Sequence, residues 1–304
     1  MDGFLTRRSA VLGALALAAC APKPASLLFD PLEPAGRRDE PRFAAIERRI
    51  GGRLGVAAWN TATDAWLTHR AHERFAMCSV FKWLLAAQML WIEERTPGFL
   101  DRQARFDEAY LAPLGYTPVT TANLERGWMT IGELAEAAVA QSDNGAANLL
   151  LERAMGPEGF TRFLRAHGDP VTRLDRIEPA LNENLPGDER DTTTPDAMAR
   201  TLVRFLTADQ VLSAASRDVL IGWLVACQTG LSRLRAGLPQ GWRAGDKTGT
   251  SVGDNNATTD VAIAWPPGRA PIVIACFLSH STVELDARNA AHAEVARIVA
   301  ETWS

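Results

Sequence analysis

A chain of 304 residues is long enough for one large domain or two closely joined ones. With 47% apolar and 22% charged residues it has the make-up of a globular protein with a sizeable core, and its net charge of −4 supplies no basic field for a nucleic-acid partner. The five histidines, His69, His72, His167, His280 and His292, fall into no metal-ligand spacing, so neither a metal nor another cofactor is expected.

At the N-terminus, Arg7-Arg8 precedes an apolar run from Ala10 to Ala19 that is too short to span a bilayer. A charged start, a short apolar stretch and a small-residue end describe an export signal over residues 1–20. The paired arginines point to the twin-arginine route. Leu17-Ala18-Ala19-Cys20 resembles the lipobox of bacterial lipoproteins, which implies a lipidated Cys20 and a periplasmic protein touching the membrane only through that anchor. Residues 21–41, rich in proline, glycine and charge, read as a tether. Arg42 to Ile50 is a short amphipathic helix stopped by Gly51-Gly52. Arg53 to Asn60 and Ala65 to Arg70 flank the turn residues Thr61 to Asp64 as a β-hairpin, with His69 and His72 at a solvated strand end.

From Ser79 to about Cys227 the patterns are helical. Ser79 to Glu94 is a long apolar-rich run, and Thr130-Ile131-Gly132-Glu133 is a capping box that opens a helix running to about Gln141. Thr194-Pro195 places an N-cap before a proline at the first helical position, and Ser213 caps a helix ending near Cys227. Thr259 to Trp265 and Ile272 to Leu278 return to strand character around Pro266-Pro267-Gly268-Arg269. A last helix runs from about Leu285 to Trp303. Strands at both ends and helices between them specify an α+β protein. Residues 42–78 and 228–304 form an α/β domain with one antiparallel sheet, residues 79–227 form a helical domain, and a cleft lies at the junction. Apart from Cys20, the cysteines are Cys78, Cys227 and Cys276, an odd count that leaves at least one thiol free. Cys227 and Cys276 read as small core residues.

Three short motifs carry the chemistry. In Ser79-Val80-Phe81-Lys82 the hydroxyl and the ammonium are three residues apart on one helical face, where a lysine can activate a serine. Lysine occurs only at Lys23, Lys82 and Lys247, in a chain that otherwise uses arginine, which marks Lys82 and Lys247 as positions that need an ammonium. Ser142-Asp143-Asn144 presents a hydroxyl and an amide from a loop. Lys247-Thr248-Gly249-Thr250 offers an ammonium, hydroxyls and a glycine along a strand edge, which suits a carboxylate-bearing substrate.

In this order and spacing the three motifs form the set shared by class A β-lactamases and penicillin-binding proteins. The chain resembles the class A serine β-lactamases from about Phe43 to Trp303, including Phe75-Ala76-Met77-Cys78 and the Tyr116 to Thr120 segment. The resemblance implies a β-lactamase/transpeptidase-like fold with a five-stranded antiparallel sheet. It also implies hydrolysis of the β-lactam amide through an acyl-enzyme on Ser79, and hence antibiotic resistance. Lys82, Ser142 and Glu178 would complete the catalytic set, with either Lys82 or Glu178 as the acylation base. Asn144, Tyr116, Lys247, Thr248, Gly249, Thr250 and Arg233 would bind substrate, and the N–H groups of Ser79 and Thr250 would form the oxyanion hole. Glu178-Pro179-Ala180-Leu181-Asn182 is similar to the family's omega loop, here residues 176–191. Glu178 and Asn182 would there hold the hydrolytic water, Arg176 and Asp191 would tie the loop's ends, and the bond before Pro179 would be cis. The chain departs from the family at Ile177, where most relatives carry tryptophan, and in a longer Ser251 to Asn256 stretch. It also has Ser251 where some relatives place a partner for Cys78. A monomer acting on small-molecule β-lactams is expected. A D-alanyl-D-alanine peptidase and an acylated sensor without turnover are the alternatives. Glu178 and Asn182 argue against the first, and the second would need signalling or membrane segments.

Overall fold

The computed structural model describes residues 36–251 and 253–304 together with Met1, so the export signal with Cys20 and residues 21–35 of the tether lie outside the described residues. The first helix, α1 (Pro41–Ile50), starts on Glu40, whose carboxylate accepts from the Arg42 amide at 3.2 Å. It stops at Gly51 and Gly52, which take φ of 68° and 76°. The chain then enters the hairpin β2 (Arg53–Asn60) and β3 (Ala65–His69). The remaining long strands, β4 (Arg243–Ser251), β5 (Ala257–Trp265) and β6 (Ile272–Ser279), come from the C-terminal third.

These five strands are antiparallel, and a sixth, β1 (Gly36–Asp39), pairs in parallel with β3. The sheet order is β1-β3-β2-β6-β5-β4, so β4 is an edge strand. Two sequence expectations are corrected here. The sheet has six strands, and residues 36–39 are part of it, not tether. Their pairing is made by backbone groups, and Arg37 secures the strand by donating to Asp196 at 2.7 Å and lying over the Trp66 ring. His69 is not solvated either, because its Nε2 sits 3.1 Å from Glu47 Oε2 and its side chain is mostly buried.

Strand β6 is buried along its whole length. One face meets α1 and the final helix α8 (Leu285–Trp303) through Ile46, Val295 and Val299, and the other meets the helical layer through Phe75 and Met198. Burial on both faces accounts for the unbroken apolar run Ile272–Leu278. The helical layer is built around α2 (Phe81–Glu93), which is buried on every side through its first ten residues. Around it pack α3 (Ile131–Ala140), α4 (Asn144–Arg153), α5 (Gly156–Ala166) and α7 (Ala214–Val225), while α6 (Pro195–Leu206) joins the layer to the sheet. Edge-on ring pairs, Phe81 with Phe160 and Trp83 with Phe205, lock α2 against this ring. Cys78, Cys227 and Cys276 are all buried and free. Among the described residues no helix is long and apolar enough to cross a membrane.

Helix α3 carries the strand-to-helix cap read from the sequence. Glu133 N donates to Thr130 Oγ1 at 3.2 Å, and Thr130 N donates to Glu133 Oε2 at 2.7 Å. Thr130→Ala should therefore cost ~1 kcal/mol of stability, read as a lower urea midpoint at constant m-value. An unmoved midpoint would mean that packing alone holds this helix start.

Candidate active site

Ser79 sits in a single 3₁₀ turn, Cys78–Val80, that leads directly into α2. Cys78 before it has φ of 45°, a left-handed conformation that side chains other than glycine adopt at a cost. Lys82 follows one turn later and is wholly buried. Its ammonium meets three acceptors: Ser142 O at 2.8 Å, Asn144 Oδ1 at 2.6 Å and Glu178 Oε1 at 2.9 Å. Three acceptors use all three of its N–H donors. Ser79 Oγ turns instead to Glu178 Oε1, at 3.2 Å.

The Ser142 segment lies between α3 and α4. Ser142 has φ of 59°, which reverses the chain and sends its hydroxyl away from the helix. Asp143 caps α4 by accepting from Ala146 N at 2.8 Å. The same buried carboxylate accepts from Val119 N at 2.8 Å and from Thr120 N and Oγ1, each at 2.9 Å. This ties the Tyr116 wall to the motif, as does the bond from Asn144 N to Tyr116 O at 2.9 Å. Ser142 Oγ accepts from Lys247 Nζ at 2.9 Å, so its own proton is free to be donated elsewhere.

On the opposite side Glu178 projects from the omega loop and is 1% exposed. The loop is closed at its base by Arg176 and Asp191, paired at 2.5 Å, and Asp191 also accepts from Asp175 N and Arg176 N. The Glu178-Pro179 bond is cis. Asn148 of α4 exchanges two hydrogen bonds with the backbone of Glu178, each 3.0 Å. Asn182 Nδ2 donates to Glu178 Oε2 at 2.6 Å, while Asn182 Oδ1 is buried without a protein partner. Ser251 Oγ donates to Asn182 O at 2.5 Å and fastens the loop to the end of β4.

The fourth side is β4. Gly249 is a glycine because a Cβ there would stand 2.6 Å from Met77 O and 2.9 Å from Cys78 Cβ, so any side chain would push the edge strand off the nucleophile turn. Lys247 is wholly buried and reaches the cleft through Ser142 Oγ; its other contact is Thr248 O at 2.7 Å. Burial pushes its ammonium down to about 8, with the Lys82 charge adding to the fall. Behind Lys247, the carboxyls of Asp246 and Asp260 are buried and both pushed up by that burial.

Arg233, expected to touch the substrate carboxylate, lies on the far side of the strand. It is 4% exposed and donates to Gly249 O and Thr259 O, both at 2.8 Å, and to Asn289 Oδ1 at 2.9 Å. Its remaining donor holds Thr250 Oγ1 at 2.7 Å, so it orients a cleft hydroxyl and does not line the cleft. The neighbouring Arg235 is paired with Asp246 Oδ1 at 2.5 Å and donates to Leu224 O.

Ser79, Tyr116, Ser142, Asn144, Asn182 and Thr248 to Thr250 line one cavity of about 340 Å³, together with Thr229. A hollow of about 370 Å³ opens behind the omega loop, but it holds none of the motif residues. The sequence motifs thus converge on one cleft. Three supports have no signal in their local sequence: Asn148, Asp143 as a hub, and the Asp246–Asp260 pair. Among the described residues no group of side chains is arranged to hold a metal ion.

A family model described as the β-lactamase enzyme family matches residues 40–303. The chain is 47% identical over 262 residues to β-lactamase AST-1 of Nocardia asteroides, covering 86% of this chain and 83% of that protein. It is 44% identical over 235 residues to the carbapenem-hydrolyzing β-lactamase KPC of Klebsiella oxytoca, covering 77% and 78%. The solved structure of an ancestral class A β-lactamase superposes with a TM-score of 0.83 at 53% identity, covering 86% of this chain and 99% of that one.

The Lys247 ammonium sits below its usual range, and its charge is lost as pH rises through about 8. For a carboxylate-bearing substrate, kcat/KM should fall with unit slope above that pH, mainly through a rising KM. A profile flat to pH 9.5 would show that Lys247 stays charged or does not serve binding.

Proposed function

Because this chain belongs to the class A β-lactamase family, we propose that it opens the β-lactam ring by acylation of Ser79 and hydrolysis of that ester through Glu178, so conferring resistance to β-lactam antibiotics. The observation that carries this reading is the contact of Glu178 Oε1 with both Ser79 Oγ, at 3.2 Å, and the Lys82 ammonium, at 2.9 Å. The substrate carboxylate docks against Thr248 and Thr250, in the field of Lys247. Ser79 Oγ attacks the ring carbonyl, whose oxygen is received by the N–H groups of Ser79 and Thr250; each such donor is worth ~3–4 kcal/mol of barrier. The Lys82 donors are all engaged, which favours Glu178 as the group that takes the Ser79 proton. Ser142, whose oxygen accepts from Lys247, gives its proton to the departing nitrogen, and the proton taken from Ser79 passes from Glu178 back to Ser142 by way of Lys82, which lies against both residues, so that Glu178 is a carboxylate again. In the second half, Glu178 deprotonates a water that attacks the ester; the bond to Ser79 Oγ breaks, and Glu178 returns the proton to that oxygen. The unpaired Asn182 Oδ1 suits an acceptor for that water. A well-placed general base contributes roughly 10²–10⁴ in rate, the difference between turnover and a trapped adduct. A peptidase that keeps its acyl-enzyme has no use for a carboxylate in this position.

The twin arginines, the short apolar run and Leu17-Ala18-Ala19-Cys20 support an exported periplasmic protein lipidated at Cys20.

Purified protein should turn over a chromogenic cephalosporin many times; a single stoichiometric burst would identify a sensor or a target. Glu178→Ala should accumulate a covalent penicilloyl adduct, seen by intact mass, and Ser79→Ala none. Rapid clearance of the adduct by the Glu178 variant would remove Glu178 from deacylation. Cys20→Ala should move the protein from the membrane to the soluble fraction, and unchanged membrane association would end the lipoprotein reading.

A further inference from the structure

Behind the motif hydroxyl of Thr248 runs a line of donors that the mechanism above does not use. Thr248 Oγ1 is 2.5 Å from Thr229 Oγ1, Thr229 Oγ1 is 3.3 Å from Cys227 Sγ, and Cys227 Sγ is 4.0 Å from Asp246 Oδ2. Thr229 lines the cleft beside Thr248, whereas Cys227 is fully buried.

A threonine hydroxyl has one proton, so only one of two adjacent hydroxyls donates to the other. If Thr248 gives its proton to Thr229, it has nothing left to offer a carboxylate. The direction is set by what else Thr229 touches. Thiol sulfur is a poor acceptor, which makes Cys227 a weak competitor for the Thr229 proton and leaves Thr248 Oγ1 as the better destination. As a donor, the thiol has Thr229 Oγ1 nearer than the Asp246 oxygen, which stands at the limit of a sulfur hydrogen bond. Burial beside Asp246 pushes the thiol up, so the S–H stays in place at working pH.

We propose that Thr229 is a positioning residue for substrate recognition: backed by the Cys227 thiol, it donates to Thr248 Oγ1 and thereby turns the Thr248 proton toward the carboxylate of the bound β-lactam. The three donors point the same way, and each polarises the next. The inference rests on the reading that the substrate carboxylate docks at Thr248.

The test compares Thr229→Val, which keeps the shape and removes the hydroxyl, with Thr229→Ser, which restores it. Substrates are a penicillin and the methyl ester of the same penicillin. For the free acid, Thr229→Val should raise KM about tenfold, the size of one charge-assisted hydrogen bond, with kcat within about twofold of the parent. Thr229→Ser should return KM to the parent value. Cys227→Ala should shift KM in the same direction by roughly two- to threefold, since it removes only the outer donor. The ester, whose carbonyl accepts only a neutral hydrogen bond, should respond distinctly less than the acid to each of these changes. An unchanged KM for the acid in Thr229→Val, or an equal loss on acid and ester, would overturn the proposal. Absence of turnover by the parent protein would instead strike at the functional reading itself, so the two failures are separable.

Discussion

One buried ammonium holds this site together. Lys82 is completely enclosed, and its three N–H groups reach two distant stretches of chain: the Ser142 carbonyl and the Asn144 amide of one loop, and the omega-loop carboxylate. A charge so placed is tolerated only because every donor is met. Removing it would leave Glu178, itself 1% exposed, as an uncompensated buried carboxylate facing a nucleophile. The cation therefore neutralises the general base and also fixes the distance between the two halves of the reaction.

Around that centre, most contacts serve to aim a proton. Lys247 occupies the Ser142 oxygen and leaves the Ser142 proton free. Arg233 grips Thr250 from behind the strand, and Asn148 holds the backbone of Glu178 on both sides. Asp143 gathers the Tyr116 segment onto the loop that carries Ser142. None of these groups needs to touch a substrate. Each removes a rotational choice from one that does, which is how a rigid site avoids reorganising during reaction.

The motif residues were legible in the sequence because their chemistry is tied to local spacing. Ser79 and Lys82 are one helical turn apart, Asp143 and Asn144 open a helix, and Lys247 to Thr250 lie along one strand. The scarcity of lysine sharpened that reading. What escaped depends on which side of an element a residue faces after packing. The resemblance picks out Arg233 as an arginine of the site, but only the packed strand shows that it grips Thr250 from behind. Asn148 sits among the buried residues of its helix, and only the distant omega loop gives it a purpose. Strand β1 pairs through its backbone and carries Arg37 and Arg38, so no apolar alternation announces it. The Asp246–Asp260 pair forms across neighbouring strands, and nothing in either local sequence points to the other.

Tyr116 and Ile177 stand at 54% and 48% exposure, whereas Lys82, Lys247 and Glu178 are sealed and hydrogen-bonded or ion-paired. Substitutions at such open positions typically change stability by less than ~0.5 kcal/mol, whereas a buried charged network tolerates almost none. The outer edge of the site and its centre are thus under separate physical control. The doorway can be remodelled one residue at a time at little cost in stability while the engine behind it stays fixed.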